Sequence, residues 1–261
     1  MQGSAKQFIE KQLGIGIVSF SMDALTKATG LSEIAAKNQL LRLGELVVRV
    51  TPRQSYFLIV TPEHRMMGAP PVDLWLDDYF TWLGRPYYVA LQSAAAMHGA
   101  SPQAVQETQV ITDAPIRNIR FSRVRLSFFT KSHIAKSLTQ QVPNAAAPLK
   151  VSTPETTALD LVRYAGSLGG IERAAETIQP MLPLMRVGEL RKTLAAENEL
   201  ASAQRLGFIF KHAGADKLAK AVADWLPKTK KNVPLALGIT AERDMPVETT
   251  FNVIINAMRV I

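Results

Sequence analysis

The sequence predicts an α+β protein, with a small N-terminal region of three helices and a β-hairpin followed by a larger mixed α/β region whose last third is rich in helices. The first observation is a series of capped helical segments that leads into two β-branched segments within about 60 residues. The second is a group of prolines, Pro62, Pro70 and Pro71, which interrupts helical structure. The third is a length of 261 residues with 47% apolar and 20% charged residues, which is enough for a substantial core. We therefore predict domains at residues 1–65 and 66–261.

The N-terminal region alternates capping residues with apolar stripes. We predict a first helix over Ser4–Leu13 and a second that begins after Ser21 and stops at Gly30. Ser32 is expected to cap a third helix over Glu33–Leu43, whose apolar residues recur at helical spacing. Residues 46–50 and 56–60 are rich in β-branched and aromatic side chains around a polar turn, which predicts a hairpin.

This order of helix, helix, helix, strand, turn and strand is the plan of a winged helix-turn-helix. In that plan the third helix can enter a major groove and the hairpin can contact the DNA backbone or the minor groove. The candidate DNA-binding residues lie at the start of the third helix, on its outer face and in the hairpin: Ser32, Lys37, Asn38, Arg42, Arg49, Arg53 and Gln54. A small helical domain that contacts protein is the alternative.

The larger region opens with an amphipathic helix that ends at Gly84. Ser152 is expected to cap a later helix, with Pro154 in its first turn and Glu155 closing a capping box. The remaining elements are predicted from apolar periodicity: helices at 90–98, 156–164, 171–178, 187–196, 204–212 and 216–225, and strands at 105–112, 124–130, 149–151 and 251–255.

The positive charge is concentrated in two segments. The chain has a formal net charge of +8 and a pI near 9.8. Residues 1–65 carry eight basic and five acidic residues, and residues 115–136 carry six basic residues and no acid. A second basic surface is therefore a candidate, formed by Arg117, Arg120, Arg123 and Arg125. We place the last two on one strand face and the first two in the approach loop, and a nucleic acid, an acidic protein partner and plain solvation all remain open for them.

Several kinds of chemistry are excluded. The chain has no cysteine, which rules out disulfides, thiolate metal sites and cysteine nucleophiles. Its four histidines are dispersed, and it has no phosphate-binding glycine loop and no serine-nucleophile motif. We therefore expect no enzymatic activity, catalytic residue, metal or cofactor. Asp160 lies within an apolar helix and is predicted to be a buried carboxylate held by a backbone amide or an arginine.

With no apolar run of about 20 residues and no secretory signal, we expect no membrane partner and a cytoplasmic location.

Three phrases of the larger region resemble the AbiEi antitoxin family of type IV toxin–antitoxin and phage-abortive-infection systems. They are residues 87–100 (YYVALQSAAAMHGA), 109–112 (QVIT) and 151–162 (VSTPETTALDLV). The resemblance implies that the N-terminal domain binds repeats in the promoter of its own operon, as double-stranded DNA, and represses transcription. It implies that the C-terminal domain counteracts a nucleotidyltransferase-like toxin encoded alongside, with direct contact left open.

The family has no established catalytic residues to carry over. Its motif positions here are therefore expected to have a structural role: His98, Ser152, Glu155 and Asp160. The main alternative is a ligand-responsive winged-helix transcription regulator with a small-molecule pocket in its second domain. A further alternative is an enzyme acting on nucleic acid through Asp113 or Asp160.

Overall fold

Three helices and a small antiparallel sheet form the N-terminal region of the computed structural model, which describes residues 3–100, 107–142, 147–239 and 244–257. Ser21 and Ser32 cap the second and third helices as predicted, and Ser4, predicted as the first residue of the first helix, is its N-cap. The elements in chain order are α1 (Ala5–Gly14), β1 (Ser19–Ser21), α2 (Met22–Thr29), α3 (Glu33–Leu43), β2 (Val47–Arg49) and β3 (Tyr56–Ile59). The sheet has the order β1-β3-β2, with β2 and β3 forming the predicted hairpin.

Strand β1 was absent from the sequence-based prediction. Its three residues are too few to show an alternating pattern, and the strand exists because it pairs with β3, where Ser19 lies opposite Leu58. It completes the sheet on which the three helices pack.

A mixed six-stranded sheet is the centre of the larger region. Its strands are β4 (Tyr87–Val89), β5 (Thr108–Thr112), β6 (Ile119–Phe121), β7 (Val124–Thr130), β8 (Thr139–Gln141) and β9 (Lys150–Ser152). They lie in the order β6-β7-β5-β4-β9-β8. The predicted strands correspond to β5, β7 and β9, although residues 105 and 106 lie outside the described part. The strands β4, β6 and β8 were not predicted, and each is defined by its pairing with a neighbouring strand of the sheet.

Helices cover this sheet and make up most of the last third, as expected. They are α4 (Leu76–Leu83), α5 (Leu91–Met97), α6 (Pro154–Arg163), α7 (Ile171–Ile178), α8 (Val187–Glu197), α9 (Leu200–His212) and α10 (Asp216–Trp225). A third sheet follows with β10 (Val233–Pro234), β11 (Val247–Glu248) and β12 (Val253–Ile254) in the order β10-β12-β11. The α+β class is confirmed. Within the described ranges, every helix is too short or too polar to cross a bilayer.

The start of α6 corrects the predicted capping box. Thr153, not Ser152, caps the helix, because its hydroxyl accepts a hydrogen bond from the amide of Thr156. Ser152 is the buried last residue of β9, and its hydroxyl bonds that of Thr157 at 2.7 Å. Glu155 instead accepts a hydrogen bond from the amide of Arg186 at 2.8 Å. The cap therefore lies one residue further along the chain than predicted.

The two predicted domains share apolar packing. One buried cluster combines Val50, Tyr56 and Leu58 of the N-terminal region with Trp75 and Tyr79 of the larger region. A separate cluster lies among α1 to α3, and the largest lies between the central sheet and the C-terminal helices. The boundary at residue 65 stays a prediction about folding units, and the packing shows that the hairpin side of the N-terminal region lies against α4.

Candidate nucleic-acid interface

The outer face of α3 carries the predicted polar residues. Ala36 and Leu40 are buried against the neighbouring helices, so the opposite side of the helix faces solvent. Lys37, Asn38 and Arg42 are all exposed on that side. Ser32 is at the N-terminus, where its hydroxyl accepts a hydrogen bond from the amide of Ala35 at 3.3 Å.

The same face holds two large apolar side chains that the sequence prediction missed. Ile34 is 74% exposed and Leu41 is 78% exposed. Apolar residues at helical spacing normally indicate a core-facing stripe, and only the packing shows that these two point away from the core. The nearby Glu33 carboxylate pairs with Lys37 at 2.6 Å, and this contact with Lys37 holds the pKa of Glu33 below its ordinary value.

The wing, which we define as the turn of residues 50–55 between β2 and β3, is held in place by two of the predicted residues. Arg49 donates from Nε to the carbonyl of Gln54 at 2.6 Å, and its guanidinium lies 5.8 Å from the centre of the Phe57 ring. The Gln54 Oε1 atom accepts a hydrogen bond from the hydroxyl of Tyr79 at 2.7 Å. Arg53 is exposed at the tip. Arg53 is thus exposed without a role in the turn, whereas Arg49 and Gln54 also hold the turn in its conformation.

The two basic segments of the sequence meet at one cleft. A cavity of about 450 Å³ is lined on one side by the wing and Tyr79 and on the other by residues 116–120. Arg53, Arg117 and Arg120 all line it. Arg120 lies 4.0 Å from the carboxylate of Glu107 in an exposed contact. Charges that are more than 60 residues apart in the chain therefore face the same space.

The second basic surface has a different arrangement from the one predicted. Arg120 is in strand β6, not in an approach loop, and lies directly opposite Arg125 of β7. Arg123 is in the tight turn between these strands, after Ser122 with a φ of 49°. Arg123 and Arg125 line a smaller cavity of about 170 Å³ beside residues 67–72. The four arginines thus line two separate cavities, Arg117 and Arg120 the larger and Arg123 and Arg125 the smaller.

Lys131 does not contribute to the surface charge of its segment. Its side chain is 1% exposed, and its Nζ lies 2.6 Å from Asp160 Oδ1 and 2.9 Å from Glu197 Oε1. The Tyr88 hydroxyl accepts from Lys131 at 2.7 Å and donates to Asp160 Oδ2 at 2.8 Å. Burial, reinforced by the Asp160 charge, raises the pKa of Tyr88 and keeps this hydroxyl protonated. Asp160 is therefore buried as predicted, but a lysine and a tyrosine hold it.

The motif positions bind one another across the central sheet. His98 donates from Nε2 to the carbonyl of Ser152 at 2.8 Å and so links the end of α5 to the end of β9. Burial lowers the pKa of His98 below its ordinary value of 6.5, against the opposing effect of this hydrogen bond. Together with the bond between Tyr88 and Asp160, this contact ties the first and third phrases into one buried unit.

The carboxylates proposed for catalysis lie in ion pairs. Asp113 Oδ1 accepts hydrogen bonds from Arg85 at 2.8 and 2.6 Å, and Asp160 is enclosed beside Lys131. Across the described ranges, no three His, Asp or Glu residues are grouped so that they could hold a metal ion. Asp113 and Asp160 are thus each held by a neighbouring cation.

Comparison with known proteins identifies similar sequences and structures for parts of the chain. Residues 87–212 match the family model of the AbiEi antitoxin C-terminal domain. Among solved structures, the crystal structure of the RV2827C protein from Mycobacterium tuberculosis is similar, with a TM-score of 0.68 and 14% sequence identity, over 96% of this chain and 90% of that chain. At this identity the likeness shows a shared fold alone. No curated protein sequence matches the chain significantly.

Proposed function

We propose that this antitoxin binds DNA and represses its own operon. The proposal starts from the match of residues 87–212 to the AbiEi antitoxin C-terminal domain. The antitoxin role follows from the family of that domain. DNA binding, autorepression and the identity of the toxin are the parts that we add.

The observation that carries the proposal is the exposed face of α3 beside the wing. The order of the N-terminal elements and the β1-β3-β2 sheet match the plan of a winged helix-turn-helix, in which the equivalent helix enters the major groove. Lys37, Asn38 and Arg42 are exposed on that helix, and Arg53 is exposed at the wing tip. We assign the helix to base contacts and the wing to phosphate or minor-groove contacts.

The arginines across the cleft extend this surface. Arg117 and Arg120 face the same cavity as Arg53, so a DNA backbone that follows the wing would meet three guanidinium groups. Arg120 also lies opposite Arg125 in the hairpin, and like charges in such a cross-strand pair repel one another. A phosphate bound there would offset that repulsion.

A titration of DNA binding tests the proposal. Fluorescence anisotropy with duplexes from the region upstream of the gene should show tight binding that weakens steeply with salt. The double variant Arg42→Ala/Arg53→Ala should weaken binding and flatten the salt dependence by about one unit of slope per lost phosphate contact. The matched control is Lys228→Ala/Lys231→Ala, which removes two exposed charges elsewhere. Unaltered binding by the first double variant would overturn the site assignment.

The toxin is proposed to be a nucleotidyltransferase-like protein encoded alongside, as in type IV systems and phage defence. Co-expression of this antitoxin should restore growth to cells that produce the neighbouring gene product. A pull-down from the same cells separates direct contact from antagonism without a complex. Continued growth arrest in cells with folded antitoxin would contradict this assignment.

A ligand-responsive regulator is the second candidate, and the cavity of about 450 Å³ is the observation that favours it, since small-molecule sites have such volumes. It lies between the wing and the larger region, so a small anion bound there would contact Arg53. A metabolite screen by thermal shift, followed by DNA titration with each hit, distinguishes this candidate from a constitutive repressor.

A further inference from the structure

The apolar pair on α3 has no partner in the described fold. Ile34 and Leu41 expose about three quarters of their surface, although the rest of the helix packs normally through Ala36 and Leu40. Exposure of apolar surface to water costs about 25 cal/mol of free energy per Å², so large aliphatic side chains are normally buried. A pair of them rimmed by polar groups marks an interaction surface.

The pair lies at the centre of the exposed face. With about 3.6 residues per turn, the outward residues fall within an arc of roughly 140°. Their order around the helix is Lys37, Leu41, Ile34, Asn38 and Arg42. Two aliphatic groups therefore occupy the middle, a cation lies at each edge, and an amide lies beside Ile34. The arc contains no acid, because the nearby Glu33 lies outside it and is paired with Lys37.

We infer that this arc recognises A·T base pairs in the major groove. Among the four bases only thymine presents a methyl group in that groove, and aliphatic side chains pack against it. An asparagine amide forms two hydrogen bonds with adenine, so Asn38 beside Ile34 suits the partner base. The edge cations match the flanking phosphates, which favours DNA over a protein partner. This inference rests on the proposed DNA binding and adds the base composition of the site.

The spacing of the two aliphatic groups assigns them to different base pairs. Seven residues separate Ile34 from Leu41, which is about 10 Å along the helix axis at roughly 1.5 Å per residue. Stacked base pairs are about 3.4 Å apart, so this distance corresponds to about three steps. The bound site should therefore contain two thymines whose methyl groups contribute to affinity. Any thymine between them should contribute nothing through its methyl group.

Removal of single methyl groups from the DNA tests the inference. A duplex from the upstream region is footprinted, and each protected thymine is replaced in turn by deoxyuridine, which lacks only the methyl group. At one or two positions the Kd should rise about fourfold, which is the change expected when one buried methyl-sized group is lost from the interface. Ile34→Ala should weaken binding to the thymine duplex by a similar factor and become insensitive to deoxyuridine at one of those positions.

Asn38 and a control variant complete the design. In the wild type, 7-deazaadenine opposite or beside the sensitive thymine should weaken binding, since it lacks the N7 acceptor, and Asn38→Ala should abolish that difference. Ile15→Ala removes another exposed aliphatic group, outside α3, and should retain full sensitivity to deoxyuridine.

Each outcome decides the matter. If the wild type binds the upstream duplex and no deoxyuridine changes the Kd, or Ile34→Ala keeps the full sensitivity, the inference is overturned while the proposed function stands. If Ile34→Ala and Leu41→Ala spare DNA binding but abolish growth rescue, the face binds protein and the inference is also overturned. A wild type that binds no upstream duplex overturns both the inference and the proposed function.

Discussion

The Tyr79 hydroxyl, on α4, donates a 2.7 Å hydrogen bond to Gln54 Oε1 in the wing. The Thr51 hydroxyl donates to the same oxygen at 3.0 Å, so one amide both closes the turn and joins it to the larger region. The Tyr56 ring packs edge-on to Tyr79 with centroids 5.3 Å apart. The position of the wing is therefore set by the domain that follows it.

We expect Tyr79→Phe to weaken DNA binding through the wing. It removes one hydrogen bond, so the free energy of unfolding should fall by only about 1 kcal/mol. Because the wing loses its anchor, the effect of Arg53→Ala on the Kd should be smaller in the Tyr79→Phe protein than in the wild type. The control is Tyr87→Phe, which removes a hydroxyl bonded to Asp77, away from the wing. An equal Arg53→Ala effect in both backgrounds would contradict this role.

Arg117 and Arg120 should contribute to DNA affinity if the cleft follows the DNA backbone. The double variant Arg117→Glu/Arg120→Glu is expected to weaken binding and lower the salt slope by about two units, since each phosphate contact adds roughly 0.9. The matched control is Lys228→Glu/Lys231→Glu, which reverses two exposed charges that do not line the cleft. Equal salt slopes for the first variant and the wild type would show a solvated surface.

Loss of one partner from the buried cluster of Lys131 should be costly. Asp160→Ala leaves the Lys131 ammonium with Glu197 as its one remaining carboxylate and the buried Tyr88 hydroxyl without its acceptor, so it should destabilise the protein by about 1–3 kcal/mol. Asp113→Ala breaks the half-exposed pair with Arg85 and should cost about 1 kcal/mol or less. Urea denaturation at an unchanged m-value measures both. Similar costs for the two variants would contradict the burial argument.

His98 should make stability depend on pH. Burial lowers its folded-state pKa below the ordinary 6.5, so the unfolded chain binds more protons near and below that pH. Its contribution is complete above pH 6.5 and is lost as the pH falls through the folded-state pKa. The free energy of unfolding should thus decrease as the pH falls below about 6.5, and His98→Gln should reduce that decrease. An unchanged slope in the variant would assign the pH dependence to other groups.

Two helical glycines should respond oppositely to alanine. A Cβ on Gly207 of α9 would overlap three carbons of the Phe251 ring, so Gly207→Ala should destabilise the protein by about 1–3 kcal/mol. Gly188 of α8 has open space at that position, and Gly188→Ala should stabilise by up to about 1 kcal/mol through helix propensity. Thermal unfolding of both proteins checks the pair. A stabilised Gly207→Ala protein would show that the ring moves aside at little cost.

The sequence by itself determined the elements whose signals are local. Hydroxyl caps act over three residues, so Ser21 and Ser32 correctly marked the starts of α2 and α3. Periodicity over two or more turns gave α7 and α10 their correct bounds. The strands β1 and β4 were missed because they are defined by pairing with segments distant in the chain. The polar residues of α3 were predictable for the same local reason.

Only the tertiary structure decided which distant groups meet. The chain order does not show that Arg53 and Arg117 line the same cleft. Nor does it show that the Lys131 side chain is buried beside Asp160 and is absent from the basic surface. It also cannot distinguish Ile34, which faces solvent, from Leu40, which faces the core. Which side chains are buried and which remain exposed depends on the packing of segments far apart in sequence. Close packing and the pairing of buried polar groups must be satisfied over the whole fold. Local signals therefore specify the elements, and long-range packing specifies the surface that they present.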